Sequence, residues 1–296
     1  MSEEKNTRTR LWLKIVPLLI LISLFGWCSS NGRKAAQLGP LKTELRSLFM
    51  EQGLVDGNNE RTSLADVARA LGESGMNELL YEAASSGSLD ALKWLVANGA
   101  DPKNVGAQKD LTLLQRTALR PRADRLAFML GFGLDPLERS RDGRSVMHVA
   151  AQGGLDAAAL QLLVSKGLTV RDADSAGRLP MHFASLKSIP VLVAGGAEID
   201  ATDDSGMTAL HQAAKEGRND AVTELLRNSA SVFAKDKKGR TPLHYAAMSQ
   251  HGDAVIDTLL AAGAPVTARD NDGLTPKDLG LDSRENARYR SALDKL

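Results

Sequence analysis

The chain has 296 residues, with 37 Lys and Arg against 36 Asp and Glu, so no strong global field is available to hold nucleic acid or an anionic surface. Aromatic residues make up 4% of the chain, thin for one deep core and sufficient for short helices packed through Leu, Ala and Val. A single cysteine, Cys28, excludes an intrachain disulfide and a cysteine-built zinc site.

The first thirty residues place Lys5, Arg8, Arg10 and Lys14 ahead of an apolar run from Ile15 to Cys28. The run is short of the roughly 20 residues a membrane span takes, and it suits the central region of a secretory signal. With Leu11–Leu13 included and Lys14 snorkelling, it also serves as an uncleaved anchor. Either way, the charge order keeps the start in the cytoplasm and sends the remainder across. Cleavage after Ser30, lipidation at Cys28 (against which bulky Trp27 counts) and a hydrophobic helix packed on the body are the other readings. The expected location is therefore membrane-anchored facing the periplasm, or exported.

Residues 31–72 read as a linker and helical cap. PLKTELRSLF sets Leu41, Leu45, Leu48 and Phe49 on one helical face. SLADVARAL does the same with Leu64, Val67, Ala68 and Leu71, with Ser63 as N-cap.

From residue 73 onward the chain repeats itself. Gly143, Gly177, Gly206, Gly239 and Gly273 recur at steps of 34, 29, 33 and 34 residues, a period that signals stacked supersecondary units. Each unit runs from an Asp/Gly turn to a short helix such as TPLHYAA, then to a second helix and a Gly-Ala stop. The second helices end in paired apolar residues: Leu95-Val96, Met129-Leu130, Leu162-Leu163, Leu192-Val193, Leu225-Leu226 and Leu259-Leu260. Thr241 caps a helix start, Pro242 suits the first helical position, and Ala246 and Ala247 allow close helix approach. Gly263 occupies the left-handed exit, where the fifth unit has Ser229 instead. The unit from Gly177 is short by about four residues at Ser185–Pro190, which predicts a clipped helix pair.

GMTALHQAAKEGRNDAVTELLRNSASV and GRTPLHYAAMSQHGDAVIDTLLAAGAPV closely resemble ankyrin repeats. RSVMHVAAQGG and RLPMHFAS resemble them well. MNELLYEAASSGSLDALKWLVANGADP, with Tyr81 in the His place, and DLTLLQRTALRPRADRLAFMLGFGLDP, with Gln115 there, do so more weakly. DGLTPKDLG resembles a terminal capping repeat. The resemblance implies an all-α repeat solenoid of helix-turn-helix units with β-hairpin loops, six units plus a partial one, over residues 73–296. It also implies that His148, His182, His211 and His244 bridge backbone groups of their own and neighbouring units. A metal ladder is the competing reading of those histidines; it fails because ligands must converge on one point.

No P-loop, HExxH or GxSxG is present. Asp142, Asp204, Asp236 and Asp272 read as turn residues bonding local backbone. The expectation is a non-enzymatic chain with no catalytic, cofactor or metal residues, and no nucleic acid or small-molecule substrate. Its partner is another protein, with the membrane reached through the N-terminal segment. The resemblance places binding on the loop tips and the concave helix face. Candidate contacts are Arg139, Arg141, Arg178, Lys235, Lys237, Lys238, Arg240 and Arg269 at the tips, with Tyr245 and Met248 as apolar anchors; solvated turns of mixed charge are the other reading of the tips, and core packing against the next repeat that of Tyr245 and Met248. Exported relatives of this kind include inhibitors or immunity proteins and protective partners of stress enzymes. An envelope spacer and a cytoplasmic scaffold are the remaining alternatives.

Overall fold

The computed structural model describes residues 64–105 and 110–282, in two compact units. The N-terminal signal or anchor, the PLKTELRSLF segment and Ser63 lie outside the described residues. No helix among the described residues is long and apolar enough to cross a membrane.

The first unit contains α1 (Leu64–Ser86), α2 (Leu89–Ala97) and a 3-10 turn at Pro102–Asn104. Gly72, at φ 60 and ψ −174, breaks α1 and separates the expected SLADVARAL helix from the first helix of the opening repeat. Beyond the break, Met76, Leu79, Leu80, Ala83 and Ala84 are buried at helical spacing, as are Ala91, Leu92 and Leu95 of α2. Ser88 caps α2 by accepting from the Ala91 N–H at 3.1 Å. Asn77 ties the following loop down by accepting from the Asp101 N–H at 2.7 Å.

The second unit alternates first and second helices. The first helices are α3 (Leu113–Ala118), α5 (Val146–Gly153), α7 (Pro180–Phe183), α9 (Ala209–Lys215), α11 (Pro242–Met248) and α13 (Pro276–Asp282). The second helices are α4 (Ala123–Leu130), α6 (Ala157–Ser165), α8 (Ser188–Ala194), α10 (Asn219–Arg227) and α12 (Asp253–Ala261). Within this unit each first helix packs on the next first helix, and each second helix on the next second helix. Ala150, Ala151, Ala213, Ala214, Ala246 and Ala247 are all buried in the first-helix layer, where only a methyl fits between close backbones. In the second-helix layer Met129, Leu163, Leu192, Leu225 and Leu259 are the buried members of the apolar pairs. In the third repeat the pair is therefore Leu163-Val164 and not Leu162-Leu163. Leu-Leu-Val is uniformly apolar, and the residue one step on is left half exposed as Val164 (50%).

The expected β-hairpin loops are tight turns; the described residues hold no strand beyond an isolated bridge between Thr202 and Thr208. Each tip closes on two backbone bonds, such as Asp174 N–H to Arg178 O at 2.9 Å and Gly177 N–H to Asp174 O at 3.1 Å, too few for a ladder. Ser229 sits at φ 68, the one non-glycine residue at positive φ among the described residues, in the place Gly263 fills at φ 82. The short repeat is clipped as its length predicts. α7 has four residues, and Ala184 turns extended (φ −59, ψ 132). Arg218 then reaches across from the next repeat and donates to Ala184 O (2.8 Å) and His182 O (3.2 Å). Its guanidinium occupies the carbonyls that a missing helical turn leaves open.

Candidate protein-binding surface

A surface for binding needs a fixed frame, and the four histidines supply it. Thr208 N–H donates to His211 Nδ1 (3.1 Å), so the ring proton lies on Nε2, which donates to Arg240 O of the next repeat at 3.0 Å. His148 links Ser145 N to Arg178 O, His182 links Leu179 N to Met207 O, and His244 links Thr241 N to Leu274 O. Gln115 makes the same bridge with an amide: Oε1 accepts from Thr112 N–H (3.1 Å) and Nε2 donates to Arg144 O (2.7 Å). Burial is the largest influence on His148, His211 and His244 and holds each pKa below the ordinary imidazole value. Neutral rings with both nitrogens engaged in backbone bonds are not free to ligate a metal or act as a base.

A second set of bonds fixes the tips. Asp174, Asp203, Asp236 and Asp270 each accept two backbone N–H groups, two and four residues ahead. Of the four turn acids expected, only Asp236 has this role. Asp204 and Asp272 lie one and two residues too late, and at Asp142 the role passes to Ser140, whose Oγ accepts from Arg144 N–H. Neighbouring tips are then joined through backbone: Ser175 N to Asp142 O, Asp204 N to Ala176 O, Lys237 N to Ser205 O and Asn271 N to Lys238 O, all at 2.9–3.1 Å.

On this frame most candidate side chains are engaged internally. Arg139 donates to Gly143 O and Ala173 O. Arg178 pairs with Asp174, whose carboxylate is buried, and lies 4.7 Å over the Phe183 ring. Arg144, from the same face, pairs with Asp142 at 2.6 Å and sits 5.7 Å from that ring. Burial pushes the carboxyls of Asp142 and Asp174 up, but the Ser140 hydroxyl and then the Arg144 guanidinium at Asp142, and the Arg178 guanidinium with two backbone N–H groups at Asp174, hold both below their ordinary range. Arg240 pairs with Asp270 (3.2 Å) and touches Met248 Sδ. Lys235 donates to Arg269 O, and Arg269 to Gly273 O. Arg141 is well exposed and only loosely paired with Asp110, at 3.7 Å.

Lys237 and Lys238 stand apart. Both are exposed, and no carboxylate or carbonyl among the described residues takes up either ammonium. Their backbone is nonetheless held on both sides: Lys237 N by Ser205 O, and Lys237 O and Lys238 O by Asn271. Among the described residues the result is two cations without a partner on a tip whose backbone is held by both neighbours.

Tyr245 is not an exposed anchor. It is buried, its hydroxyl donates to Asp236 Oδ2 at 2.6 Å, and its ring packs edge-on against His211 at 5.8 Å. Burial and the Asp236 carboxylate push its pKa well above the ordinary phenol value. Met248 is half buried beside Arg240. Phe233 was missed from sequence: at 64% exposure it is the most exposed large apolar side chain among the described residues, two positions before Lys235. The signal in the sequence is position: Phe233 stands as far before Gly239 as Leu137, itself 55% exposed, stands before Gly143.

Residues 185–270 match the family model for ankyrin repeats (3 copies). Protein PhlB of Serratia liquefaciens is 36% identical over 145 residues, covering 43% of this chain and 63% of that protein. Tyrosine-protein kinase Shark of Drosophila melanogaster is 28% identical over 49% of this chain and 16% of its own length. Palmitoyltransferase AKR1 of Lachancea kluyveri is 24% identical over 66% of this chain and 26% of its own. The matched regions thus span from about an eighth to just under two thirds of the curated relatives' lengths. Among solved structures, the ankyrin repeat domain of Bcl-3 aligns with a TM-score of 0.49 and 21% identity, over 73% of this chain and 97% of that one. The family match makes residues 185–270 ankyrin repeats, and the same backbone-bridging device runs from Gln115 to His244.

Proposed function

We propose that this chain is a non-enzymatic binder of another protein, held at the outer side of the cytoplasmic membrane by its N-terminal segment, and that Lys237 and Lys238 are its leading contacts. Ankyrin repeats generally mediate protein–protein binding and are typically non-catalytic. One observation carries the finer reading: two ammonium groups that find no partner among the described residues sit on backbone already held by the neighbouring tips. Such cations bind without an ordering cost for the loop and steer an acidic partner surface. Exposed Phe233 supplies apolar area near them. The membrane placement rests on the basic residues Lys5 to Lys14 ahead of the Ile15–Cys28 run.

The test is capture from membrane and envelope extract by the full chain, tagged at its C-terminus, beside a Lys237→Ser/Lys238→Ser variant. A single stoichiometric partner held by the wild type and lost by the variant is expected. Equal capture by both overturns the assignment to these lysines, and absence of any partner favours a spacer. The partner's identity separates an inhibitor or immunity role from protection of a stress enzyme, and labelling with a membrane-impermeant reagent separates outer presentation from a cytoplasmic scaffold.

A further inference from the structure

The third and fourth repeats depart from the others in their second helices. α6 (AAALQLLVS) and α8 (SIPVLVA) contain no charged residue, whereas α4 carries Asp124 and Arg125, α10 carries Asp220, Glu224 and Arg227, and α12 carries Asp253 and Asp257. Between α6 and α8 runs an open groove of about 680 Å³. One wall is Ala157, Leu160, Gln161, Val164 and Ser165, a single stripe of α6 at helical spacing. The other wall is the small or short side chains Pro190, Val191, Ala194 and Gly195 of α8 and its exit. Two local features border it. The shortened repeat begins α8 at Ser188 with Pro190 in its first turn, and Gly195 lies where a Cβ would come within 2.8 Å of Leu160.

We infer that this groove receives an amphipathic α-helix of a partner protein, one whose apolar stripe spans about two turns and is flanked by an acidic residue at each end. The stripe on α6 is some 12 Å long, which fits apolar side chains at i, i+3, i+4 and i+7 of an incoming helix. The absence of charge along both walls makes a charged docking face costly to desolvate. The ends are different. Lys166 directly follows α6 and Lys187 directly precedes α8, both exposed, and no ion pair or side-chain hydrogen bond among the described residues takes up either ammonium; exposed Asp156 stands at the Lys187 end, its carboxylate engaged as the N-cap of α6 by the Ala159 N–H at 2.7 Å. These two cations favour acids at both ends of the helix and disfavour a basic amphipathic one. The site lies on second helices, separate in sequence and layer from Lys237 and Lys238, so it stands or falls independently of the proposed tip contacts.

The probe is a fluorescein-labelled, N-acetylated peptide with Leu at i, i+3, i+4 and i+7, Ala and Gln elsewhere, and Glu at both ends. Its anisotropy is titrated with the full chain in phosphatidylcholine nanodiscs. Two further peptides replace the terminal Glu by Lys, or the four Leu by Gln. Val164→Glu and Ala194→Glu alter two exposed wall positions, each checked by circular dichroism for an unchanged melt, and either one suffices. The expected result is saturable binding of the Glu-flanked peptide. It should weaken at least tenfold in each folded variant, about three- to tenfold for the Lys-flanked peptide, and beyond detection for the Gln peptide. No binding to wild type, or binding unchanged by Val164→Glu and Ala194→Glu, overturns the inference. So does a concentration-dependent dimer, seen by sedimentation velocity, that Val164→Glu abolishes, because the groove then belongs to a second copy of this chain.

Discussion

Replacing His211 tests the frame on which everything else is mounted. The His211 ring is fully buried and joins two backbone groups 32 residues apart, Thr208 N–H at 3.1 Å and Arg240 O at 3.0 Å. His211→Ala leaves both unpaired, each costing about 1–3 kcal/mol, and removes the edge-on contact with Tyr245, worth about 0.5–1.5 kcal/mol. A loss of about 3–5 kcal/mol follows, since the cavity admits partial relaxation. His211→Gln should retain most of the stability, because Gln115 already makes both bonds at the equivalent place two repeats earlier in sequence order from His182. The assay is urea unfolding together with amide exchange at Thr208, because local opening is read even if repeats unfold separately. Protection of the Thr208 amide should fall about a hundredfold or more in the alanine variant and stay within about tenfold of wild type in the glutamine variant. Equal protection in alanine variant and wild type, or glutamine as damaging as alanine, would refute the bridging argument.

Acid should weaken the fold in two steps. His148, His211 and His244 have folded pKa values below the free value of about 6.5, so their stabilisation is complete above that pH and declines as pH falls through it, by up to about 1.4 kcal/mol per unit for each ring. Asp142, Asp174 and Asp270 are also depressed, so their contribution is present above about pH 4 and is lost below it; urea midpoints that stay flat from pH 7.5 to 5.5 would contradict the first step. Ser229→Gly relieves a side chain held at φ 68 and should change stability by 0 to about +1 kcal/mol, so a clear drop in melting temperature would be inconsistent with the assigned exit geometry. Arg218→Ala should cost about 1.5–3 kcal/mol by freeing the His182 and Ala184 carbonyls, seen as faster amide exchange around α7, with Arg218→Lys restoring little because it lacks the fork. Tyr245→Phe should cost about 1–3 kcal/mol by leaving Asp236 Oδ2 unpartnered, and an unchanged melt would show that water replaces the hydroxyl.

The period of glycines and the recurring TALH and TPLH openings made the repeat legible, because a fixed backbone need recurs at a fixed interval, and the ankyrin resemblance implied the histidine bridges. Gln115 was readable as a departure but not as a functional equivalent, since equivalence depends on the amide reaching Arg144 O. The buried member of Leu162-Leu163-Val164 was misplaced by one residue, because three apolar residues in a row carry no periodic contrast. The turn acids were misassigned where tips hold two candidates, as in Asp203-Asp204, and backbone geometry alone selects the one that accepts two N–H groups. The tip bases looked interchangeable in sequence. In the fold the arginines reach carbonyls and carboxylates of their own and adjacent tips, and Lys237 and Lys238 reach none among the described residues. Tyr245 read as an apolar anchor because nothing local announces that its hydroxyl lies within reach of Asp236 nine residues earlier.

The most direct test of the central claim is the affinity of the captured partner for the full chain and for a Lys237→Glu/Lys238→Glu variant, measured at low and high salt. At least a tenfold loss is expected in the variant, carried largely by slower association, with a salt dependence that the variant no longer shows. An unchanged Kd at both salt concentrations would place the binding surface elsewhere and contradict the claim.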